Sequence, residues 1–441
     1  MSPAGEPLPL SVRVRRFLAV ARLVVVVYGG YKALQLAGWV TGASARDDYY
    51  DRQNRRAAER IRATALEQRG LLIKACQFAG SRADVLPPAF VDVLSTTHDQ
   101  VPSRPLAELA PWIESQLGRS LAECYASFDP EPVAAASLAQ VHRARLHDGS
   151  DVAVKVRYPD IDRIVATDLA NFKFFVGLLA RLERRFDLRL LVYELRRMIP
   201  LELDFEREAD NARRFAQNFA DDARVRFPVP VPELTATGVL TMDYIDGIKI
   251  TDTAELARRG IDKHEVAALL AETYIRQILV HGFFHGDPHP GNLFVLEGPT
   301  LVILDLGLAK EFTAELRTGL MRLTAAIVAR DAASIGEAFR DLGFETRSGD
   351  DDTFVTVGEL FLGQALSAGR AYADMAMIDR IQEELFAALR ANPIVRASSD
   401  PLLVLRVMGL LSGIGKQLDS KVDPLSAMLP FLTMGAGRLR R

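Results

Sequence analysis

The segment His285-Gly286-Asp287-Pro288-His289-Pro290-Gly291-Asn292, continued by Leu304-Asp305-Leu306-Gly307, constrains this chain more than any other feature. An Asp is followed after four residues by an Asn. Then come Leu293-Phe294-Val295, a Gly-Pro turn, Leu301 to Leu304, and Asp-x-Gly. The stretch reads as a short hairpin with an oxygen-bearing side chain at each end. Asn292 and Asp305 suit Mg²⁺, a hard cation that prefers oxygen ligands in near-octahedral geometry. In that role they would bind the metal ions that bridge the phosphates of a nucleotide. Asp287 stands on the loop before the hairpin, as a base or a substrate-orienting carboxylate. Gly-Asp-Pro and Pro-Gly-Asn also favour turns on their own account, so the segment needs support from the rest of the chain.

A chain of 441 residues has room for one large bilobal domain or two to three smaller ones. Its net charge of −3 gives no push toward nucleic acid. Cys76 and Cys124 are the only cysteines, too few for a disulfide framework and at no zinc spacing, so a reducing compartment is the default.

The N-terminus differs from the remainder. Arg13, Arg15 and Arg16 precede an apolar stretch from Phe17 to Val40, interrupted by Arg22 and Lys32, with Gly29-Gly30 between them. The charge-free runs are shorter than the roughly 20 residues of an ordinary span. A helix lying in a membrane interface fits, with its basic residues at the headgroups and Val24 to Tyr28 in the acyl region. The competing expectation is a helix docked on the protein's own core. Arg438-Leu439-Arg440-Arg441 would add weak attraction to anionic lipid.

Residues 51–70 are charged and helix-forming. Pro87-Pro88 and Pro102 to Pro105 punctuate further helices, and 106–127 reads as a helix pair with Trp112 and Leu117 on the apolar side. Val133 to His147 alternates and ends in the turn His147-Asp148-Gly149-Ser150, after which Asp151 to Val156 resumes as a strand. Helices follow over 160–220, two strands over 229–245, and a mainly helical region from 253 on.

Lys155 lies mid-strand in Val-Ala-Val-Lys. Strand alternation puts Ala153 and Lys155 on one face and Val152, Val154 and Val156 on the other. Its ammonium would pair with the α- and β-phosphates. The run before it reads Ala134-Ala135-Ala136-Ser137-Leu138-Ala139-Gln140-Val141. Alanines stand where a phosphate-covering loop ordinarily carries glycines, so the loop would be stiffer and its nucleotide grip different. A small-residue helix start is the alternative. Glu202-Leu203-Asp204-Phe205-Glu206-Arg207-Glu208-Ala209-Asp210-Asn211 is acidic and amphipathic. Glu208 is the natural partner for Lys155. Acidic residues also favour any helix N-terminus. Lys74-Ala75-Cys76-Gln77, after Leu71-Leu72-Ile73, reads as a core helix with Lys74 and Gln77 on one polar edge.

Together these residues resemble the UbiB/AarF/ADCK family of atypical protein-kinase-like proteins over roughly residues 55–420. The resemblance implies an α+β, bilobal protein-kinase-like fold. Its parts are an N-terminal basic and apolar segment (1–50), a helical extension carrying Lys74 and Gln77 (51–130), a small β-containing N-lobe (131–245) and a helical C-lobe (246–441), with ATP in the cleft between lobes. It implies ATP and Mg²⁺ as cofactors, the metal held by Asn292 and Asp305. Asp287, Lys155 and Glu208 would be catalytic. Ala134, Ala136, Ser137, Ala139 and Val141 would face the nucleotide. Met242, Asp243 and Ile245 would form the hinge that meets the adenine. Lys74, Gln77, Glu202 and Asp204 would be regulatory, in helices that fold over the cleft where a protein substrate would otherwise bind. One departure is Cys76, where the family has Gly; it adds a side chain where the helix was expected to approach the small lobe.

The resemblance further implies a link to ubiquinone or other isoprenoid-lipid metabolism, with a lipid or quinone precursor and a biosynthetic protein complex as partners. The expected location is cytoplasmic, peripheral at the inner face of a membrane. ATPase activity is implied ahead of protein phosphorylation. The residues agree: a helical pattern starts soon after Asp305-Leu306-Gly307, with no long activation segment and no Ala-Pro-Glu, and Gly286 stands where protein kinases carry an Arg. Three alternatives remain. One is an aminoglycoside- or choline-kinase-like phosphotransferase. Another is a nucleotide-gated lipid-binding scaffold, a pseudokinase without turnover. The last is a transition-metal role for His285 and His289.

Overall fold

Proline and glycine punctuation sets the helices of the first part of the chain. The computed structural model describes residues 7–41, 46–80, 86–98, 101, 103–182, 189–329, 331–356, 387, 391–396, 399–422, 427–428 and 430–431. Two compact units emerge: Met1–Arg207 with Pro230–Tyr244, and Glu208–Val229 with Ile245–Arg441. Arg438 to Arg441 lie outside the described residues.

The first unit begins with α1 (Leu10–Thr41), α2 (Arg46–Gln68), α3 (Leu71–Gly80) and α4 (Pro88–Ser95). Pro88 occupies the first turn of α4, where its missing N–H costs nothing. Next come α5 (Leu106–Leu117), closed by Gly118 at φ 67°, and α6 (Leu121–Cys124), opened by a reciprocal Ser120–Glu123 capping box. Where α3 crosses α4, a Cβ at Gly80 would lie 2.7 Å from the Ser95 amide nitrogen, so only glycine fits.

α1 is a continuous helix of 32 residues running through Gly29-Gly30. Leu10–Leu36 is long and apolar enough to cross a membrane by length and composition, with Arg22 and Lys32 inside it. Arg16 corrects one expectation. It was expected among lipid headgroups, but it is buried, and its guanidinium grips Asp168 through Nε to Oδ1 (2.8 Å) and Nη2 to Oδ2 (2.5 Å). Nη1 also donates to the Gln68 carbonyl. One side of α1 is therefore docked on the protein, with Val20 buried beside Cys76, Leu72 and Phe175. Leu10, Val14, Leu18 and Val25 remain exposed.

Five antiparallel strands follow in the spatial order β1-β2-β3-β6-β5: β1 (Ser127–Ala135), β2 (Ala139–Arg145), β3 (Asp151–Arg157), β5 (Pro230–Ala236) and β6 (Val239–Asp243). The first strand starts inside the stretch expected to be helical extension. Between β3 and β5 run α7 (Ile161–Leu182), α8 (Arg189–Glu202), α9 (Phe205–Asn218) and the short β4 (Val225–Arg226). Val152, Val154 and Val156 of β3 pack with Leu109, Ile113, Leu195 and Ile199 from the helices. Each such buried side chain contributes about 1.5–3 kcal/mol.

In the second unit, β4 joins β10, β9 and β7 in one sheet. Its elements are β7 (Ile248–Lys249), α10 (Thr253–Arg258), α11 (Lys263–Ile275), β8 (Phe283–His285), β9 (Leu293–Leu296), β10 (Thr300–Ile303), β11 (Ala309–Glu311), α12 (Ala314–Ala329), α13 (Ala332–Asp341), β12 (Glu345–Thr346), β13 (Ile394–Arg396) and α14 (Ser399–Gln417). Asp252 and Asp262 cap α10 and α11. Residues 208–229, expected in the N-lobe, belong here. The physical reason is apolar burial: Phe215, Phe219 and Phe227 share a core with Tyr274 and Phe283. α12 starts at Ala314, soon after Asp305-Leu306-Gly307.

Candidate functional site

The second unit builds the Asp287–Asp305 constellation from two strand pairings. A π-helical segment over Arg276–His281 ends at Gly282 (φ 61°), which turns the chain into β8. β8 pairs antiparallel with β11, His285 opposite Ala309. Asp287 follows the first of these strands and Asp305 precedes the second, so the pairing draws the two segments together. At its end the Gly286 N–H donates to the Leu308 carbonyl at 2.9 Å. A Cβ at Gly286 would lie 2.8 Å from that same oxygen, so a larger residue, the kinase-type Arg included, is sterically shut out.

The β9–β10 hairpin makes the second link. Ile303 pairs with Leu293, and the Leu304 N–H donates to the Asn292 carbonyl at 2.8 Å. Asn292 therefore sits beside the residue that precedes Asp305. Asn292 is half-buried and Asp305 exposed. Asp305 itself adopts φ 55°, ψ 69°. This left-handed conformation costs an ordinary L-residue roughly 1–2 kcal/mol and is tolerated best by Asn and Asp. Two hydrogen bonds hold it: His285 Nε2 to the Asp305 carbonyl (2.9 Å) and Asn211 Nδ2 to the Leu306 carbonyl (2.8 Å).

His285 is fully buried. A carbonyl can only accept, so Nε2 carries the proton. In the neutral ring, Nδ1 then accepts from the Tyr274 hydroxyl at 2.9 Å. Burial lowers the imidazole pKa below its ordinary value, against the opposing pull of Asp287 and Asp305. Burial also raises the Tyr274 phenol far above its usual range. Both ring nitrogens of His285 are thus engaged, and His289 Nδ1 accepts from the Gly291 N–H. His285 therefore has no ring nitrogen left for a metal, and His289 braces the loop at Gly291.

These residues fit Mg²⁺. Asn292 and Asp305 offer two oxygen donors at one end of a hairpin, and Mg²⁺ is usually held by one or two carboxylates, with phosphates and water completing its shell. Bound there, the ion would supply charge neutralisation at the phosphates. Asp287 is about a quarter exposed, and its Oδ1 accepts from Arg406 Nη2 on α14 at 3.3 Å.

In the first unit, Lys155 stands opposite Leu240 of β6 and Val141 of β2. Val152, Val154 and Val156 are buried on the other face, as alternation requires. The Lys155 ammonium lies over the Phe205 ring, 5.2 Å from its centroid. The alanine run is a β-hairpin turn, not a helix start. Ala134 pairs with Val141, and the Ala136 N–H donates to the Ala139 carbonyl at 2.8 Å. Ser137 and Ala139 are buried, while Ala134 and Ala136 are exposed. The loop is braced from beneath by Gln140, whose amide exchanges hydrogen bonds with the Arg104 backbone. Met242 is buried on β6, and the Tyr244 N–H donates to the Asp151 carbonyl. The first unit ends at Tyr244, and Ile245 opens the next stretch of the second.

Lys74 on α3 reaches Glu202 at the end of α8, Nζ to Oε1 2.7 Å, with both side chains mostly buried. Asp204 caps α9 by accepting from the Arg207 N–H at 3.0 Å. Gln77 donates to the Thr97 carbonyl at 3.3 Å. Cys76 does not face the strands: it is buried with Val20, Ala65, Leu94 and Phe175 among helices, and burial pushes its thiol up to about 12. Ala75, one residue earlier, takes the strand-facing position.

Sequence reasoning assigned no role to Asn211, Tyr274, Gln277, Gln140 or Arg406. Asn211 could have been found, since it lies three residues beyond Glu208 on α9 and shares its face; both are buried in the second unit. Gln277, whose Oε1 accepts from the His285 N–H, and Arg406 meet the loop only through tertiary packing.

A family model described as the ABC1 atypical kinase-like domain matches residues 96–339. The chain is 32% identical over 395 residues to the Arabidopsis thaliana protein named Activity of BC1 complex kinase 7, chloroplastic, over 89% of this chain and 56% of that protein. It is 31% identical over 423 residues to an uncharacterized protein of Synechocystis sp., over 94% of this chain and 72% of that one. With AarF domain-containing protein kinase 1 of Xenopus tropicalis it shares 35% identity over 285 residues, 64% of this chain and 54% of that one. The chain thus spans about half the length of two of these relatives. Among solved structures, the Rv3197–erythromycin complex of Mycobacterium tuberculosis superposes with a TM-score of 0.60 at 23% identity, covering 87% of this chain and 97% of that one, a likeness of fold. With its helical N-terminal region, antiparallel sheet and helix-rich second unit, this α+β chain belongs to the ABC1 atypical kinase-like family, the UbiB/AarF/ADCK group.

Proposed function

We propose that the chain binds Mg-ATP and uses it for hydrolysis, or for phosphoryl transfer to a small hydroxyl compound, in support of ubiquinone or other isoprenoid-lipid metabolism at a membrane surface. The observation that carries this reading is the backbone link between Asn292 and Leu304, which sets two oxygen donors at one hairpin end beside Asp287. Family membership in an atypical kinase-like group supports it. In this reading Asn292 and Asp305 hold the metal, Lys155 addresses the α- and β-phosphates, and Glu208 is its partner. Ala134 to Val141 face the nucleotide, and Met242, Asp243 and Ile245 meet the adenine. Lys74, Gln77, Glu202 and Asp204 regulate.

In hydrolysis, a water oxygen bonds to the γ-phosphorus as the bond from that phosphorus to the β,γ-bridging oxygen breaks. The electron pair of that bond leaves on ADP. The water proton passes to Asp287 and from it to phosphate or solvent.

The membrane part rests on α1 and α7. Leu10, Val14, Leu18 and Val25 are exposed on α1, and Phe174, Leu178 and Leu182 on α7. The two helices meet where Phe17 contacts Phe174 at 5.7 Å. An exposed apolar face edged by Arg13, Arg15 and Arg22 suits an anionic bilayer surface. A biosynthetic protein complex and a cytoplasmic, inner-face position complete the reading.

The test is Mg²⁺-dependent nucleotide binding, read as a thermal shift, and ATP hydrolysis, each with and without anionic liposomes. Asp305→Asn is expected to abolish the Mg²⁺-dependent shift and to lower hydrolysis by about a hundredfold or more. Equal hydrolysis by wild type and Asp305→Asn sinks the reading.

A further inference from the structure

The face that α14 turns toward the Asp287 loop carries a group no sequence motif announced. Asp400, Leu403 and Arg406 recur every three residues and therefore share one side of the helix. Each meets a different part of the constellation. Asp400 Oδ1 pairs with Lys310 Nζ of β11 at 3.1 Å. Leu403 lies over Gly286, its Cδ2 being 3.7 Å from where a Cβ there would stand. Arg406 Nη2 donates to Asp287 Oδ1 at 3.3 Å. Val404, Val407 and Ile414 on the same helix are buried in the core of the second unit, so the helix is anchored independently of these polar contacts.

We propose that Arg406 is a positioning residue for Asp287: α14 sets its guanidinium on one carboxylate oxygen so that the other is presented to the proton of the attacking water or hydroxyl. The proposal rests on the Mg-ATP reading above and deepens it.

The argument is one of occupancy and direction. A carboxylate has two oxygens. With Oδ1 taken by the guanidinium, Oδ2 is the atom left to accept the proton of the attacking water or hydroxyl. Holding the carboxylate by one oxygen fixes its rotation about χ2, a broad torsion that nothing intrinsic to Asp restrains. An orientational error of this kind costs rate without weakening nucleotide binding. Leu403 lies over Gly286 beside that carboxylate, and the Arg406 and Asp287 side chains are each about a quarter exposed.

The experiment uses the full chain and four variants: Arg406→Ala, Arg406→Lys, Asp287→Asn, and Asp287→Asn with Arg406→Ala. Steady-state ATP hydrolysis gives kcat and KM separately, and thermal unfolding checks the fold. The expected result is a kcat about ten- to a hundredfold lower in Arg406→Ala with KM for ATP within about twofold. Arg406→Lys restores most of that loss. Arg406→Ala adds no further loss to the residual rate of Asp287→Asn, because Arg406 acts through that carboxylate.

Two results overturn the proposal while leaving Mg-ATP hydrolysis standing: wild-type kcat in Arg406→Ala, or an equal loss in the Asp287→Asn background. If Arg406→Ala fails to fold, the lysine variant decides: a kcat as low as that of Asp287→Asn, in a folded protein, rejects positioning by a cation. A wild type with no Mg²⁺-dependent hydrolysis fails at the earlier step, and the role of Arg406 falls with it.

Discussion

His285 holds the backbone carbonyl of Asp305 from 2.9 Å, and through it the only strained backbone position in the constellation is fixed by a buried, neutral imidazole. The ring donates on one side and accepts from Tyr274 on the other. Protonation would put a second donor against the hydroxyl and a charge into the core.

Stability should therefore depend on pH through this residue. Burial lowers its folded pKa below the unfolded value of 6.5. In that window the unfolded state binds more protons than the folded one, so stability rises with pH. The contribution is complete above pH 6.5 and is lost as pH falls through the folded pKa. His142, also lowered by burial, acts in the same direction. Thermal midpoints of wild type and His285→Gln across pH 5–8 test this. His285→Gln should be less stable by about 1–3 kcal/mol at pH 8, with a flatter slope below pH 6.5. Identical slopes would count against a neutral His285.

Gly286 should tolerate no side chain. A methyl would meet the Leu308 carbonyl at 2.8 Å, and the β8–β11 pairing must open to admit it. Gly286→Ala is expected to lose about 1–3 kcal/mol by chemical denaturation, and Gly286→Arg more. A Gly286→Arg protein with wild-type stability would show that the kinase-type residue can be accommodated.

The Lys74–Glu202 pair is mostly buried, so removing one partner strands the other. Lys74→Met is expected to cost about 1–3 kcal/mol, and Lys74→Met with Glu202→Met less than the sum of the two single changes. Additive losses in a double-mutant cycle would show that the pair is not coupled.

Arg16 and Asp168 form a deeper pair, and burial raises the Asp168 pKa despite the guanidinium beside it. Arg16→Leu leaves a buried carboxylate and should cost about 3–5 kcal/mol; adding Asp168→Leu should recover much of the loss. Since Arg16 is committed to the protein interior, Arg16→Leu with Asp168→Leu should leave liposome binding unchanged. Arg13→Glu with Arg15→Glu should reduce it, as cosedimentation with anionic vesicles will show.

The sequence by itself determined the local elements and the residue types of the constellation. Alternation placed Lys155 and the three valines of β3 on opposite faces, because a strand has period two whatever surrounds it. The turn His147–Ser150 and the hairpin between Asn292 and Asp305 were legible for the same reason: turn residues and β-branched runs act over a few positions. The family pattern in Asp287, Asn292 and Asp305 was legible too, since its spacing lies within one short stretch of chain. Tertiary structure alone decided the rest. Arg16 reads as a headgroup-facing cation until α7 supplies Asp168, 152 residues away, and turns it into a core residue. Cys76 reads as crowding the small lobe until α3 is rotated by packing toward α1, α4 and α7. Arg406 belongs to no motif in the sequence, and its contact with Asp287 exists only because α14 packs there. A side chain's partner across a hundred residues depends on how apolar faces are buried together, and that choice is made by the whole core at once, not by the residues on either side.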